Sequence, residues 1–250
     1  MAQGGITVGL LYPGFAAEDD FLALEAKLGG TLRLPLVHTS VGEDAHRVDA
    51  LLDLGSAERL AEGARGLVQH EPASVMWACT SGSFVFGWDG AREQVQALSR
   101  EIGCPASSTS IAFVNAVHSL GVDKVAVAAS YPDDVAEHFV EFLGRAEIEV
   151  TRMASHGIVT AAEVGRLDRT EVLELVQSVD LAGAGALLVP DTAMHSLAWL
   201  DDMEAAVGAP VLTANQVTVW EGLNLAGAVP GLPGLGSLFS AVPASRTGDP

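Results

Sequence analysis

Cys79 is the residue of this chain whose type and surroundings best suit chemistry at carbon. It stands in the segment Trp77-Ala78-Cys79-Thr80-Ser81-Gly82-Ser83-Phe84, directly after an apolar run of strand length. Small and hydroxylated residues in this place let backbone N–H groups approach an anion closely. They would also favour the thiolate, which attacks carbon or accepts a proton. We therefore predict that Cys79 is catalytic and that its neighbours bind the substrate; these are Thr80, Ser81, Gly82 and Ser83.

The remaining cysteine and the histidines give no sign of a metal site. Cys104 lies in Ile102-Gly103-Cys104-Pro105, at the start of a predicted strand, where a small apolar side chain is needed. The seven histidines are dispersed, and no Cys/His spacing is that of a structural zinc site. No phosphate-binding glycine motif opens a helix after a strand. We therefore expect neither a metal site nor a nucleotide cofactor.

The charge balance argues against two large classes of partner. The 250 residues include 13 Lys and Arg against 32 Asp and Glu, a formal net charge of −19. Nucleic-acid binding needs clustered basic residues, and anionic membrane surfaces repel such a chain. The sequence has no basic leader and no run of roughly 20 apolar residues. The expectation is a soluble cytoplasmic protein whose partner is a small molecule.

Apolar runs of strand length alternate with segments of helical period along the chain. Continuous apolar strands separated by amphipathic helices are typical of parallel sheets covered on both faces, so the predicted class is α/β. The predicted strands are 6–12, 31–35, 74–78, 106–110, 124–129, 147–152, 186–189 and 210–213. The predicted helices are 17–28, 56–70, 90–102, 111–120, 133–143, 163–179, 196–207 and 217–225.

A weak internal repeat predicts that these elements form two similar lobes. Three short motifs occur twice in the same order: Tyr12-Pro13 and Tyr131-Pro132, Cys79-Thr80 and Asp191-Thr192, Gly103-Cys104-Pro105 and Gly208-Ala209-Pro210. Ligands of open parallel sheets bind beyond the carboxyl ends of the strands. If the two lobes face each other, one cleft is expected to gather Tyr12, Cys79, Tyr131 and Asp191.

The two expected lobes have the following boundaries. The first lobe is expected to comprise residues 1–115 and 217–230, and the second residues 116–216. Residues 231–250 are rich in Pro, Gly and Ser and show little helical pattern. They are expected to form a tail that lies on the surface or is mobile.

The segment Ala78-Cys79-Thr80-Ser81-Gly82-Ser83, with Asn215-Gln216 and Trp220 late in the chain, resembles a known enzyme group. This is the maleate cis-trans isomerase and arylmalonate decarboxylase group of the aspartate/glutamate racemase superfamily. The resemblance implies two flavodoxin-like lobes related by a pseudo-twofold axis, with cofactor-independent chemistry in the cleft at a carbon next to a carboxylate. It supports Tyr131 and Asn215 as contacts of the substrate carboxylate, beside Thr192 and Tyr12, and it is compatible with a homo-oligomer.

Asp191 is the point at which the sequence departs from that group. The isomerases can offer a cysteine from each lobe, and the decarboxylases have glycine at the first position and cysteine at the second. Here Cys79 matches the first position, and Asp191 stands at the second. A carboxylate can move protons but is a poor covalent nucleophile. Like charges about 4 Å apart repel by about 1 kcal/mol in water and about 4 kcal/mol at an effective dielectric of about 20. We therefore expect either a protonated Asp191 or a substrate less charged than maleate.

The function expected first is a maleate-type cis-trans isomerase acting on a small unsaturated acid. Cys79 would add to the alkene, and Asp191 would move protons from the opposite lobe. One alternative is a racemase or an arylmalonate-type decarboxylase in which the two residues form an acid–base pair without covalent attachment. Another alternative is a protein that binds a small acid and catalyses nothing.

Overall fold

Nine strands form two separate parallel sheets in residues 5–228 and 231–240, the part of the chain that this computed structural model describes. The first sheet contains β1 (Ile6–Pro13), β2 (Leu32–Arg33), β3 (Leu36–Thr39), β4 (Ser74–Trp77) and β5 (Ala106–Ser108). β1 pairs with β2 and β3 along one edge and with β4 along the other, and β5 pairs with β4. The second sheet contains β6 (Lys124–Ala129), β7 (Glu149–Ser155), β8 (Ala186–Val189) and β9 (Val211–Thr213).

The two sheets have the same strand order. The second runs β7-β6-β8-β9, and the first runs in the same way once β2 and β3 are counted as one interrupted edge. The interruption falls at Leu34-Pro35, where the proline has no N–H to give to the ladder, although its carbonyl accepts a hydrogen bond from Leu10. The predicted two-lobed α/β architecture is confirmed, and the motifs of the repeat lie at corresponding places in the two sheets.

Twelve helices accompany the strands in the described residues. They are α1 (Asp19–Lys27), α2 (Val48–Leu54), α3 (Ala57–Leu67), α4 (Ser81–Phe84), α5 (Gly87–Ile102), α6 (Thr109–Ser119), α7 (Asp133–Arg145), α8 (Ala161–Val164), α9 (Arg169–Gln177), α10 (Leu200–Val207), α11 (Ala214–Leu225) and α12 (Gly236–Ser240). None of those in the described part of the chain combines the length and the apolar character that crossing a bilayer would require. In the same residues no three His, Cys, Asp or Glu side chains are grouped so as to hold a metal ion.

One hydrophobic cluster spans both lobes, and a second lies within the second lobe. β4 and β8 are buried along their whole length, as expected of central strands with helices on both faces. Phe139 of α7 packs on Phe84 and Phe113 from the first half of the chain, with ring centroids 5.3 Å and 5.4 Å apart. The final long helix, α11, follows β9 of the second sheet but lies against β1 and β4 of the first. Its Gly222 carbonyl accepts a hydrogen bond from Ser74 at 2.6 Å.

β3, α2 and α4 correspond to no element predicted from the sequence. Three predicted segments also differ from the expected pattern because local signals or tertiary contacts intervene. The helix expected over 163–179 is two helices, since Asp168 accepts hydrogen bonds from the N–H groups of Thr170 and Glu171 and starts α9 afresh. The helix expected from 196 begins at Leu200. Residues 231–240, expected in the tail, contain α12, whose Leu238 and Phe239 are buried. Residues 229–230 and 241–250 lie outside the described part of the chain.

Candidate active site

A cavity of about 270 Å³ lies beyond the carboxyl ends of strands from both sheets. Loops that follow β1, β3, β4 and β8 form its walls, together with side chains of α2 and the first residue of α8. The lining residues are Tyr12, Pro13, Gly14, Phe15, Ala16, Val41, Glu43, Asp44, Ala45, His46, Leu51, Leu54, Cys79, Ser81, Ala161, Asp191, Thr192 and Ala193. Five of the residues predicted for the site are among them: Tyr12, Cys79, Ser81, Asp191 and Thr192.

Cys79 enters the cavity at the end of β4 and is a thiol at neutral pH. Its side chain is buried, and the N–H of Gly82 donates to Sγ at 3.3 Å. Burial raises the pKa of Cys79 to about 12, and the negative charge of Asp191 acts in the same direction. Hydrogen bonds from Gly82 and Ser81 oppose this. The donors expected from the sequence are therefore present, but desolvation outweighs them and the thiolate is not the resting form.

Asp191 enters the cavity at the corresponding place after β8. Its Oδ1 accepts a hydrogen bond from the N–H of Ala193 at 2.9 Å, and its Oδ2 accepts one from the hydroxyl of Ser130. Burial raises the pKa of Asp191, and the nearby imidazole of His46 and these two hydrogen bonds counteract that effect. The carboxyl group is thus held in one orientation and is less acidic than an exposed aspartate.

The two predicted tyrosines hold the segment around Asp191 in place. The hydroxyl of Tyr12 donates to the carbonyl of Thr192 at 2.9 Å and accepts a hydrogen bond from the N–H of Ala17 at 3.0 Å. The hydroxyl of Tyr131 donates to the carbonyl of Pro190. Burial raises the pKa of both phenols, so each stays a neutral hydrogen-bond donor. Tyr12 also lines the cavity, whereas Tyr131 is not among the lining residues.

The remaining donors predicted near Cys79 lie behind the cavity wall. Ser83 donates to the hydroxyl of Ser108 at 2.8 Å, which ties α4 to the end of β5. The hydroxyl of Thr80 is buried and finds no partner among the described residues. Gly82 packs so closely that a Cβ added there would lie 3.1 Å from the sulfur of Cys79. Ser81 is the member of this group that reaches the cavity.

Asn215, the last residue predicted for the site, lies away from the cavity. Its Nδ2 donates to the carboxylate of Asp20 at 3.1 Å and to the carbonyl of Met194 at 3.2 Å. The same oxygen of Asp20 accepts hydrogen bonds from the N–H groups of Ser196 and Leu197 at 2.8 Å and 3.1 Å. These contacts join α1, α11 and the segment that follows Asp191. The side chain of Asn215 thus supports that segment from behind.

The charges around the cavity are mostly negative. Glu43, Asp44 and Asp191 contribute carboxyl groups, and none of the described residues that line the cavity is Lys or Arg. Glu43 is paired with Arg47, whose guanidinium lies 2.9 Å from its carboxylate. Part of the wall is apolar, with Val41, Leu51 and Leu54 among its side chains.

Comparison with known proteins identifies the family. The family model described as arylmalonate decarboxylase matches residues 54–239, a span that includes both Cys79 and Asp191. The chain belongs to the arylmalonate decarboxylase family. The resemblance stated from the sequence is thereby confirmed, and maleate isomerases are among the similar proteins.

Two relatives and one solved structure illustrate the range of this decarboxylase family. The chain is 29% identical to the arylmalonate decarboxylase of Bordetella bronchiseptica over 185 residues, 73% of this chain and 77% of that protein. It is 31% identical to the maleate isomerase of Geobacillus stearothermophilus over 137 residues, 54% of this chain and 55% of that protein. A variant of the Nocardia farcinica maleate cis-trans isomerase, solved with a covalently bound succinylcysteine intermediate, superposes with a TM-score of 0.85 at 20% identity. That match covers 94% of this chain and 98% of the other. The relatives are isomerases and decarboxylases.

The sequence did not predict a loop that extends from the first lobe to contact the second. We call residues 40–47, which follow β3, the crossing loop. The carboxylate of Asp44 accepts hydrogen bonds from the N–H groups of Ala161 and Ala162 at 2.9 Å and 3.2 Å. His46 donates from its backbone N–H to the carbonyl of Val159 at 2.8 Å. The partners are more than 100 residues away along the chain, so no local pattern predicts them.

Ser130 was also missed, although a signal for it exists. It follows β6 directly and precedes Tyr131, at the strand end where the repeat already placed site residues. A serine at such a position is able to donate to a carboxylate that follows the neighbouring strand, as it does to Asp191.

Proposed function

We propose that this protein is a cofactor-independent enzyme that transfers a proton at the carbon next to a carboxyl group of a small acid. Cys79 and Asp191 are the proton-transfer pair. The observation that carries the proposal is their placement: each follows the third strand of its own sheet, β4 or β8, and both line the same cavity. Groups offered by two facing lobes can reach opposite faces of one carbon.

The protonation states of the pair suit this chemistry. The buried thiol of Cys79 keeps its proton at neutral pH and can donate it. In a decarboxylation, the bond between the α-carbon and one carboxylate breaks, CO₂ leaves, and the electron pair stays on the resulting enolate. Cys79 then gives its proton to the α-carbon, and the thiolate regains a proton from water. In a racemisation, the carboxylate of Asp191 removes the α-proton from one face while Cys79 protonates the other.

The cavity walls favour a substrate with one apolar substituent and little net charge. Val41, Leu51 and Leu54 can bury an alkyl or aryl group. A compact dianion such as maleate would have to place both carboxylates in a cavity that already holds Asp191 and whose described lining residues include no Lys or Arg. α-Substituted monocarboxylic acids meet both conditions, whereas α-substituted malonates, which are dianions like maleate, fit the cavity through their apolar substituent.

The second candidate is the cis-trans isomerase expected first from the sequence. The contact from the Gly82 N–H to the sulfur of Cys79 favours it, because this donor would stabilise a thiolate that attacks an alkene. In that route Cys79 first gives its proton to Asp191. The sulfur then adds to one alkene carbon while Asp191 delivers that proton to the other. The new single bond then rotates, and elimination returns both groups and releases the trans acid. The curated maleate isomerase relative and the succinylcysteine in the Nocardia farcinica structure make this chemistry a reasonable competitor.

Proton NMR in D₂O separates the two candidates. The purified protein is incubated with phenylmalonate, 2-phenylpropionate and maleate. Deuterated phenylacetate from phenylmalonate, or loss of the α-proton signal of 2-phenylpropionate, supports the proton-transfer pair. Conversion of maleate to fumarate, with a mass adduct on Cys79, supports the isomerase instead.

Variants test the two roles in the same assay. Cys79→Ala and Asp191→Asn are each expected to lose activity at least a hundredfold, in keeping with the usual contribution of a positioned acid or base. Cys104→Ala is the matched control, because that thiol is half-buried and does not line the cavity. Full activity of Cys79→Ala would refute both candidates, and no reaction of the wild-type protein with any compound of the panel would refute the proposed pair.

A further inference from the structure

His46 is a cavity residue that the proposed chemistry does not yet use. The crossing loop carries it from the first lobe onto the second, where its Nδ1 donates to the carbonyl of Ile158 at 2.8 Å. Its ring stands at right angles to that of Tyr131, with centroids 4.9 Å apart. Because a carbonyl can only accept, Nδ1 must carry the hydrogen of this bond. Nε2, which has no hydrogen-bond partner among the described residues, is therefore the nitrogen left to contact a ligand.

His46 also differs in charge from the other residues around it. Of the described residues that line the cavity, it is the one whose side chain can become positive; the ionisable others are the acids Glu43, Asp44 and Asp191, the thiol Cys79 and the phenol Tyr12. Two of the acids are already satisfied, Glu43 by Arg47 and Asp44 by two backbone N–H groups. A carboxylate that enters this cavity meets a single candidate counter-charge.

On the basis of the proposed function, we propose that His46 recognises the substrate carboxylate. Nε2–H of the protonated imidazole donates to a carboxylate oxygen, while Nδ1–H holds the ring against Ile158. A short chain of hydrogen bonds links the His46 imidazole to the carboxyl group of Asp191. The N–H of Ile158 donates to the carbonyl of Ser130 at 2.8 Å, and the hydroxyl of Ser130 donates to Asp191. His46 thus places the substrate relative to Asp191 and makes the site selective for acids over neutral analogues.

A purely structural role would be confined to anchoring the crossing loop, and the chain offers a matched case of that role. His38 also lies 2.5 Å from a loop carbonyl through Nδ1, that of Gly14, but does not line the cavity. His46→Asn keeps an N–H donor near the position of Nδ1 and removes the nitrogen at Nε2. His38→Asn makes the same change where no ligand is expected.

The test compares two ligands of nearly the same shape that differ in charge, phenylacetate and phenylacetamide. Their dissociation constants are measured by calorimetry for the wild-type protein, His46→Asn and His38→Asn. The wild-type protein and His38→Asn are expected to prefer the carboxylate. In His46→Asn this preference is expected to fall by about tenfold or more, the loss typical of a hydrogen bond to a charged group, with the amide little affected.

Three results would overturn the assignment of His46. They are an equal loss of affinity for both ligands in His46→Asn, an unchanged preference in that variant, and a wild-type protein that does not prefer the carboxylate. The first of these is what loop anchoring alone predicts. Binding needs no turnover, so this experiment and the NMR test of the Cys79 and Asp191 pair can succeed or fail separately.

Discussion

Removal of the Ser130 hydroxyl is expected to change the pH dependence of the enzyme without changing its maximal rate. Ser130 is fully buried directly after β6, and its hydroxyl donates to Oδ2 of Asp191. This bond favours the ionised carboxylate and opposes the burial that raises the pKa of Asp191. In Ser130→Ala the N–H of Ala193 remains on Oδ1, so the carboxyl keeps its place and loses one of its two donors.

The size of the effect follows from the energy of the lost bond. A hydrogen bond to a charged group contributes about 1.5–3 kcal/mol, and about 1.4 kcal/mol corresponds to a tenfold change in an ionisation equilibrium. If Asp191 acts as the base, kcat/KM rises with pH as it ionises. The acid limb of the profile is therefore expected to move by about one to two pH units towards higher pH in Ser130→Ala, with the same plateau above it.

The assay is kcat/KM between pH 4 and pH 9 for whichever acid of the NMR panel reacts. Ser155→Ala is the control, because that hydroxyl donates to the exposed carboxylate of Asp133 and lies outside the cavity lining. An acid limb that stays in place in Ser130→Ala would show that the ionisation of Asp191 does not control the rate. A lowered plateau with an unmoved limb would mean that Ser130 serves only to shape the site.

Two further predictions concern stability, both measured as Tm. Gly222→Ala is expected to destabilise the fold by about 1–3 kcal/mol, because the new Cβ would lie 2.4 Å from Val8 of β1. Gly144→Ala in α7 is the control, since open space surrounds that position and the change should be neutral or stabilising. Equal changes in Tm for the two variants would contradict this. Burial raises the pKa of Glu221, whose carboxylate accepts from Asn115 at 2.8 Å, so the stability that its protonated form contributes is complete at acidic pH and is lost as pH rises through the folded-state value. Glu221→Gln should therefore raise Tm at pH 8 more than at pH 4, and a gain independent of pH would count against this account.

The sheets and the two strand-end residues could be predicted because their signals are local. Each buried strand is a continuous apolar run. A residue directly after such a run lies at the carboxyl edge of a parallel sheet, whatever the arrangement of the helices around it. This rule and the internal repeat were sufficient to predict that Cys79 and Asp191 lie at the site. Their placement in one cavity follows from the common strand order of the two sheets.

The contacts that complete the site are tertiary and leave no comparable pattern. His46 meets Ile158 across 112 residues, and Asn215 meets Asp20 across 195. The protonation state of Cys79 was misjudged for a related reason. Its neighbours in sequence supply the donors, but the burial that outweighs them comes from the whole fold.

If Cys79 and Asp191 act as the proposed pair, their different side chains assign one role to each. Two thiols in matching environments would ionise at similar pH, and either could be the acid. In this cavity burial raises the pKa of both groups, while the charge of Asp191 raises that of Cys79 further. His46, Ser130 and Ala193 all favour the ionised carboxyl. The Cys79 thiol thus keeps its proton at neutral pH, and the donors around Asp191 favour its ionised form, which suits Cys79 as the acid and Asp191 as the base. Such a pair should protonate its carbon from the Cys79 side, so the decarboxylation product of a prochiral malonate is expected to be a single enantiomer.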